Sequence, residues 1–478
     1  MKKKFFIATI ILFIIVKEAT AQDTNAVFTL RQCVELALNN NITVKQEELK
    51  VETAEVGLKQ AKANLLPDLN GNLSYGFNRG RNVDPITNSY INQELTSSDV
   101  NLSTGIIIFN GLRLQNLIRQ NKYSHEASKM DQQQVKDNFT LNVILAYLQI
   151  LSNEDMLDIA KGRLEVSNKQ VERMEVLVKE GSVGNYQLTD LKGQQADEAI
   201  AIITRENQLK QSKLALCRLM NIDYDPDLKL DRSSIETGAI LSLYPASSGE
   251  VFKSSLENLA LVKANDLKMK SAERAVNVAK GGFYPSLSFY ANLGSSYSSL
   301  AEKFTATNLT EVSTGEYVII NGNQNPVLKQ QQNYSTDKIK YFNQLSNNRG
   351  TFAGISMQIP LFNNFVMRNQ VKLAKINLKN SELVSENTNL ELKRDIEETW
   401  LNMDASFNQY KVLLGQQQNY EESFRAAEIR FNSGVINAYE YLIAKNNLDQ
   451  ARINVAQMKY DYIFRTKLLD FYSGKQLW

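Results

Sequence analysis

The side chains best suited to chemistry are few and scattered. Cys33 and Cys217 are the only cysteines, and His125 is the only histidine. Two thiols and one imidazole so far apart in sequence lack the spacing of a zinc site. Two cysteines are also too few for a disulfide framework. A single bond between them is left open in an oxidising compartment, and Cα atoms more than about 7 Å apart would exclude it. No glycine-rich phosphate loop occurs and no nucleophile stands beside a base, so no catalytic, cofactor or metal site is assigned. The acids carry more. Glu397-Glu398 and Glu421-Glu422 read as solvated helix faces, with a water-lined inner surface as the alternative. Asp190 and Glu440 each follow a glycine turn, Gly181-Ser182-Val183 and Gly434-Val435-Ile436. Acids crowded into a narrow opening would repel one another and attract cations.

A duplication positions these turns. Gly105-Ile106-Ile107-Ile108-Phe109-Asn110-Gly111 reads as the end of a strand and a tight corner before a long helix. It recurs around Ile359-Pro360-Leu361-Phe362-Asn363-Asn364, with Phe362 253 residues after Phe109. Gly181 and Gly434 keep that offset, as do Gly162 and Gly415. A gap-free register of this length marks an internal repeat.

Composition narrows the class. Charged residues make up 22% and apolar ones 43% of the 478 residues, which excludes a disordered chain and a polytopic helical membrane protein. The one long apolar run, Phe5 to Val16, follows Lys2, Lys3 and Lys4 and precedes Ala19-Thr20-Ala21. Residues 1–21 therefore read as a secretory signal, cleaved before Gln22. Removing them takes the formal charge from +2 to −1, and no basic run remains to suggest nucleic acid.

In chain order, residues 22–221 form the first repeat, 222–249 a connector with Pro226 and Pro245, and 250–478 the second repeat. A first helix from Leu30 to about Leu65 carries Ala54, Leu58, Ala61 and Leu65 on one face until Pro67 ends it. The next segment alternates Leu69, Leu73, Tyr75 and Phe77 against Asn70, Asn72 and Ser74, a strand with one apolar and one polar face. Asp99 to Phe109 is a second strand. Each spans about ten residues, the length that crosses a bilayer when tilted. A proline-free helix of roughly 67 residues follows, about 100 Å at 1.5 Å per residue, and then a shorter one from Tyr186 to Asn221. The second repeat restarts 218 residues after the first, with Ala272, Val276, Ala279 and Phe283, then Pro285 and a strand from Ser286. An insert rich in Asn, Gln and Ser, about 298–350, reads as a long exposed loop. The second long helix carries Ile396, Trp400, Met403, Phe407, Tyr410 and Leu414 at the spacing of a coiled-coil seam. The last helix carries Leu448, Ala451, Val455, Met458 and Tyr462 likewise. Two short helices end to end match one long helix in each repeat. On this plan Cys33, opening the first short helix, and Cys217, ending the second, meet in one zone midway along the staves.

The expected fold is mainly α with a membrane β-barrel. Four strands cannot close a barrel, and in lipid every strand edge must be paired. Three copies would supply twelve strands over twelve helical staves. A soluble β-layer on a coiled-coil stalk is the plainer alternative, but such layers rarely alternate Asn, Ser and Gly so regularly against Leu, Phe and Tyr.

The doubled plan, Leu66-Pro67 and Tyr284-Pro285 before the strands, the Phe109 and Phe362 corners and the Gly181 and Gly434 turns together resemble the TolC-type outer-membrane efflux proteins. The resemblance covers essentially the whole mature chain. It implies a homotrimeric channel-tunnel that spans the outer membrane and reaches into the periplasm. Such a duct serves a tripartite efflux pump or type I secretion, with a periplasmic adaptor and an inner-membrane transporter as partners. It further implies that Gly181, Ser182, Val183, Gly434, Val435 and Ile436 form the periplasmic tip and meet the adaptor, and that Glu440 is a lumen or gate acid, with Asp190 a second. The chain departs from the family at Ile436, where some relatives place a gate-locking arginine, and at Gln187, where the first repeat has no acid. The competing reading is a periplasmic adaptor or scaffold that conducts nothing. That would need a compact lipoyl-like β-domain, and no segment reads as one.

Overall fold

The structure is a computed structural model that describes residues 27–83, 88–92, 94–233, 242–475 and 477. The expected signal and its cleavage site lie outside the described residues. The chain forms two compact units, and each draws on both repeats. One comprises the chain up to Glu55 with Tyr123–Lys270 and Lys379–Trp478; the other comprises Val56–Lys122 and Ser271–Leu378.

The helices are α1 (Leu30–Asn40), α2 (Ile42–Ala63), α3 (Arg113–Lys179), α4 (Asn185–Met220), α5 (Ser248–Asn258), α6 (Ala260–Gly281), α7 (Tyr341–Asn347), α8 (Val366–Asn432) and α9 (Ala438–Tyr472). α1 and α2 recur 218 residues later as α5 and α6, and α3 recurs 253 residues later as α8, both with 67 residues. The single first helix expected from Leu30 to Leu65 is in fact two. Asn41 is extended (φ −70°, ψ 125°), and its Oδ1 accepts the Val44 N–H at 3.0 Å, so the side chain caps a new helix. The repeat breaks at the equivalent Leu259 (φ −67°, ψ 134°). Both α1 and α5 open with a capping box, Thr29 with Gln32 and Ser247 with Glu250.

In the first unit, α1 packs with the adjoining parts of α3, α4 and α9 through Val34, Ala37, Ile144, Leu151, Leu216 and Ile463. Cys33 and Cys217 sit together in this core, buried and free, in the one zone expected of them. Burial, reinforced by the neighbouring Cys217, pushes the Cys33 thiol up to about 12. The connector is more than a linker. Its β6 (Lys229–Leu230) pairs in parallel with β1 (Val27–Phe28), and the Tyr147 hydroxyl bridges Phe28 O at 3.1 Å and Asp231 O at 2.6 Å. On α8 the expected seam is buried at Ile396, Met403 and Tyr410, and Ile396 and Met403 pack with Tyr462 and Leu469 of α9.

The second unit is built on four antiparallel strands in the order β10 (Gly350–Gln358), β7 (Ser286–Ser298), β5 (Leu95–Phe109), β2 (Asp68–Asn78). The register sorts the faces. Leu69, Gly71 and Leu73 align with Thr104, Leu102 and Val100 of β5, and these with Ala291, Leu293 and Ser295 of β7. Asn70, Asn72 and Ser74 align with Ser103, Asn101 and Asp99 on the other face. Leu69, Leu73, Tyr75 and Phe77 are 70–72% exposed, so this chain alone does not cover its apolar face. The sheet is open, with β2 and β10 as its edges. β3 (Arg81–Val83) and β4 (Tyr90–Asn92) pair with each other beside it.

The segment expected as a loop is instead mostly regular. β8 (Glu302–Ile320) and β9 (Asn323–Lys338) pair as a long hairpin, and α7 follows. Asn321 and Gly322 turn it with φ of 53° and 81°, both left-handed as a two-residue hairpin turn requires. At the corner before α3, Gly111 (φ 66°) lies so close to the Gly281 carbonyl that a Cβ would come within 2.6 Å of it. The repeat uses Asn364 (φ 52°) at the matching place.

Candidate functional site

The two glycine turns close helix hairpins of the same design, and both belong to the first unit. Gly181 has φ 72° and donates to Val178 O at 3.0 Å, while Ser182 N reaches Leu177 O at 2.9 Å. Gly434 has φ 71° and donates to Phe431 O at 3.0 Å, with Val435 N on Arg430 O at 2.9 Å. These paired bonds are a Schellman ending, which needs a left-handed residue and so favours glycine. A Cβ on either glycine would meet nothing within 4 Å, so the cost of a side chain there is conformational, not steric.

The remaining turn residues divide. Ser182 and Val435 are exposed, Val435 at 66%. Val183 and Ile436 turn inward onto a small core of Val171, Met174, Leu191, Phe431, Ala438 and Tyr441. Ile436 therefore acts as packing. Phe431 and Tyr441 stack in this core with centroids 4.8 Å apart. Asn437 caps α9, its Oδ1 accepting the Glu440 N–H at 3.0 Å. Glu440 is exposed in the first turn, where the helix dipole favours a negative charge. Asp190 is exposed on α4. The register at 253 pairs Glu440 with Gln187 and Asp190 with Ile443, so the two acids stand at different levels of their helices. Gln187 Nε2 donates to the Tyr186 hydroxyl at 3.1 Å.

Sequence reading missed the groups that tie the hairpins together. The Arg173 guanidinium of α3 donates to the side-chain and main-chain oxygens of Asn432, the last residue of α8. Further along the helices lies a buried ionic cluster. Lys445 Nζ of α9 lies 2.5 Å from Glu198 Oε1 of α4 and 3.5 Å from Asp449 Oδ2. Arg163 Nε of α3 is 3.0 Å from the same Asp449 oxygen. The Lys445 and Glu198 side chains are 3% and 4% exposed. Burial raises the Asp449 carboxyl above its ordinary range, and Lys445 and Arg163 pull it back. One sequence signal was available. Ala438, Tyr441, Lys445, Leu448 and Ala451 share one helical stripe, so Lys445 occupies a seam position where an apolar residue is normal.

Among the described residues, no group of three His, Cys, Asp or Glu side chains is placed to hold a metal. No described helix is long and apolar enough to cross a membrane. The geometry is that of paired helical hairpins with a clamped end, and of an open sheet with one apolar face.

Comparison with known proteins gives one consistent result. A sequence profile described as outer membrane efflux protein matches residues 33–221 and 251–474, which cover both repeats. The pyoverdine export outer membrane protein OpmQ of Pseudomonas putida is 26% identical over 292 residues, 59% of this chain and 60% of its own length. The chain thus spans well under two thirds of that relative. The outer membrane protein TolC of Escherichia coli is 21% identical over 440 residues, 91% of this chain and 80% of TolC. Among solved structures, the outer membrane protein VceC of Vibrio cholerae superposes with a TM-score of 0.73 at 14% identity, covering 94% of this chain and 97% of VceC.

Proposed function

The chain belongs to the outer membrane efflux protein family, and from that premise we propose that it is the outer-membrane exit duct of a tripartite efflux pump or a type I secretion system. The observation that carries this reading is the open four-stranded sheet with one uncovered apolar face. Such a sheet cannot rest in lipid with its edges free. Three copies joining β10 of one to β2 of the next give twelve strands, an even number in the range of outer-membrane barrels. The Asn- and Ser-rich face then lines water, and the apolar face meets lipid.

The exposed turn residues Gly181, Ser182, Gly434 and Val435 are the proposed contact for a periplasmic adaptor, and an inner-membrane transporter supplies the energy. Val183 and Ile436 shape that tip from within. Glu440, exposed beside the turn, is the proposed lumen acid; Asp190 lies further along its hairpin. The mature chain is proposed to start at Gln22.

Planar-bilayer recording of the purified protein tests the duct. We expect steady single-channel conductance from a species with the native mass of a trimer. A monomer in mild detergent with no conductance would overturn it and favour a non-conducting scaffold.

A further inference from the structure

We propose that a groove on the apolar face of the sheet binds a phospholipid with an anionic headgroup, seating an acyl chain on Leu73, Leu102, Leu293 and Leu345 and its phosphate on Arg349. This rests on the outer-membrane placement above.

Gly350 pairs with Gly294 on the polar face. Alternation puts Arg349, one residue earlier, on the apolar side. Side-chain positions agree, because Arg349 lines one groove with Leu73, Leu102, Leu293 and Leu345. The paired positions of this face are Leu, Gly, Tyr, Phe, Thr, Ser, Val, Ala, Ile or Met; none carries a charge. A cation on the lipid side of a barrel is costly unless an anion meets it or it reaches the headgroup layer. Arg349 is exposed, and its guanidinium donates to Ser346 O at 2.9 Å and Ser346 Oγ at 3.3 Å. These bonds leave part of its five-donor fork unused. No described carboxylate pairs with it. A phosphate suits such a fork in charge and geometry.

The groove is built rather than incidental. α7 is fastened over this face near its far end. Gln344, 2% exposed, accepts from Ser298 N at 3.0 Å and donates to Ser298 O at 2.9 Å. The Tyr341 hydroxyl shares a hydrogen bond of 3.1 Å with Ser98 Oγ, and Ser295 Oγ donates to Leu345 O at 2.7 Å. Leu345 of the helix and the strand residues line it, and Gly71 contributes no side chain of its own. The groove is open to the outside and offers about 520 Å³. Tyr297 at the end of β7 clusters with Tyr341 and Phe342 of α7, with centroids 4.8 Å and 5.3 Å apart. Such aromatic groups mark the headgroup level of membrane proteins, which puts Arg349 within reach of phosphate.

Native mass spectrometry of the detergent-purified protein with phosphatidylglycerol or phosphatidylcholine tests this. We expect phosphatidylglycerol to be retained roughly five-fold more tightly, the effect of one cation at a lipid surface. Arg349→Gln should abolish that preference, and Gly71→Leu, which adds a side chain to the groove, should weaken retention of both lipids. Inorganic phosphate should leave lipid retention unchanged; displacement by it would mean a free-anion site and overturn the proposal. Equal retention of the two lipids by the natural protein, or an intact preference in Arg349→Gln, would also overturn it. Flotation of the same preparations with vesicles reads membrane association separately, so loss of lipid preference with flotation intact faults only the groove.

Discussion

Lys445 shows how much one side chain can decide. It sits in the apolar seam of α9 and, together with Arg163, offsets the charges of Glu198 and Asp449, whose side chains are almost wholly buried. Removing one partner of a buried ion pair strands the other, at a cost of about 3–5 kcal/mol. Lys445→Met should therefore lower the thermal unfolding temperature sharply, and Glu198→Gln added to it should restore part of the loss. The effect should depend on pH. Asp449 has a folded pKa above its unfolded one, so its contribution is favourable below the unfolded value and is lost as pH rises through the folded value. Without Lys445 that carboxyl rises further, so the variant should lose more stability at neutral than at acidic pH. Unfolding curves at several pH values check this. Glu440 belongs to the same scale but to a different role. Its side chain is exposed and free to act on ions. Glu440→Gln should reduce cation selectivity in bilayer recordings and leave the native mass unchanged. The effect should fade with salt, since charges are screened over about 10 Å at 0.1 M.

Among the elements, those with strong periodicity were legible in the sequence. The seam from Ile396 to Leu414 and the alternation from Leu69 to Phe77 each follow one repeat length, and their register fixed the long helices and the strands. What escaped depended on single side chains acting locally. The breaks at Asn41 and Leu259 involve no Pro or Gly; the Asn41 amide caps Val44, whereas Leu261 N donates to Gln134 Oε1 of α3 at 3.1 Å, and neither is a signal that periodicity carries. The hairpin from Glu302 to Lys338 was hidden by its polar composition, although Asn321-Gly322 is a strong hairpin signal in its own right. The Arg173–Asn432 clamp joins residues 259 apart, so nothing nearby in sequence announces it. At this scale the turns also yield a test. Gly434→Val forces a β-branched residue into the left-handed region, a strain on the order of 1–3 kcal/mol. With open space around it, the turn should shift while the hairpin stays folded. Co-purification of a periplasmic adaptor should weaken, and drug resistance in cells should fall with it.

For the whole molecule, the two open edges of the sheet set the rules of assembly. In the proposed ring β10 of one copy meets β2 of the next, two edges that differ in sequence. Such a contact would be head-to-tail, and a ring built from it closes only when the last copy returns to the first. A subunit whose β10 is spoiled, for instance by Ala353→Pro, still offers a sound β2. It can therefore enter a growing ring that it then prevents from closing. Expressed in equal amount beside the natural chain, it should leave only about an eighth of three-membered rings intact, one half for each seat. Efflux should fall well below half, a dominant loss that titration of the two genes would measure. The same substitution paired with a second one that spoils β2 should be harmless, because a subunit with no usable edge is excluded from every ring.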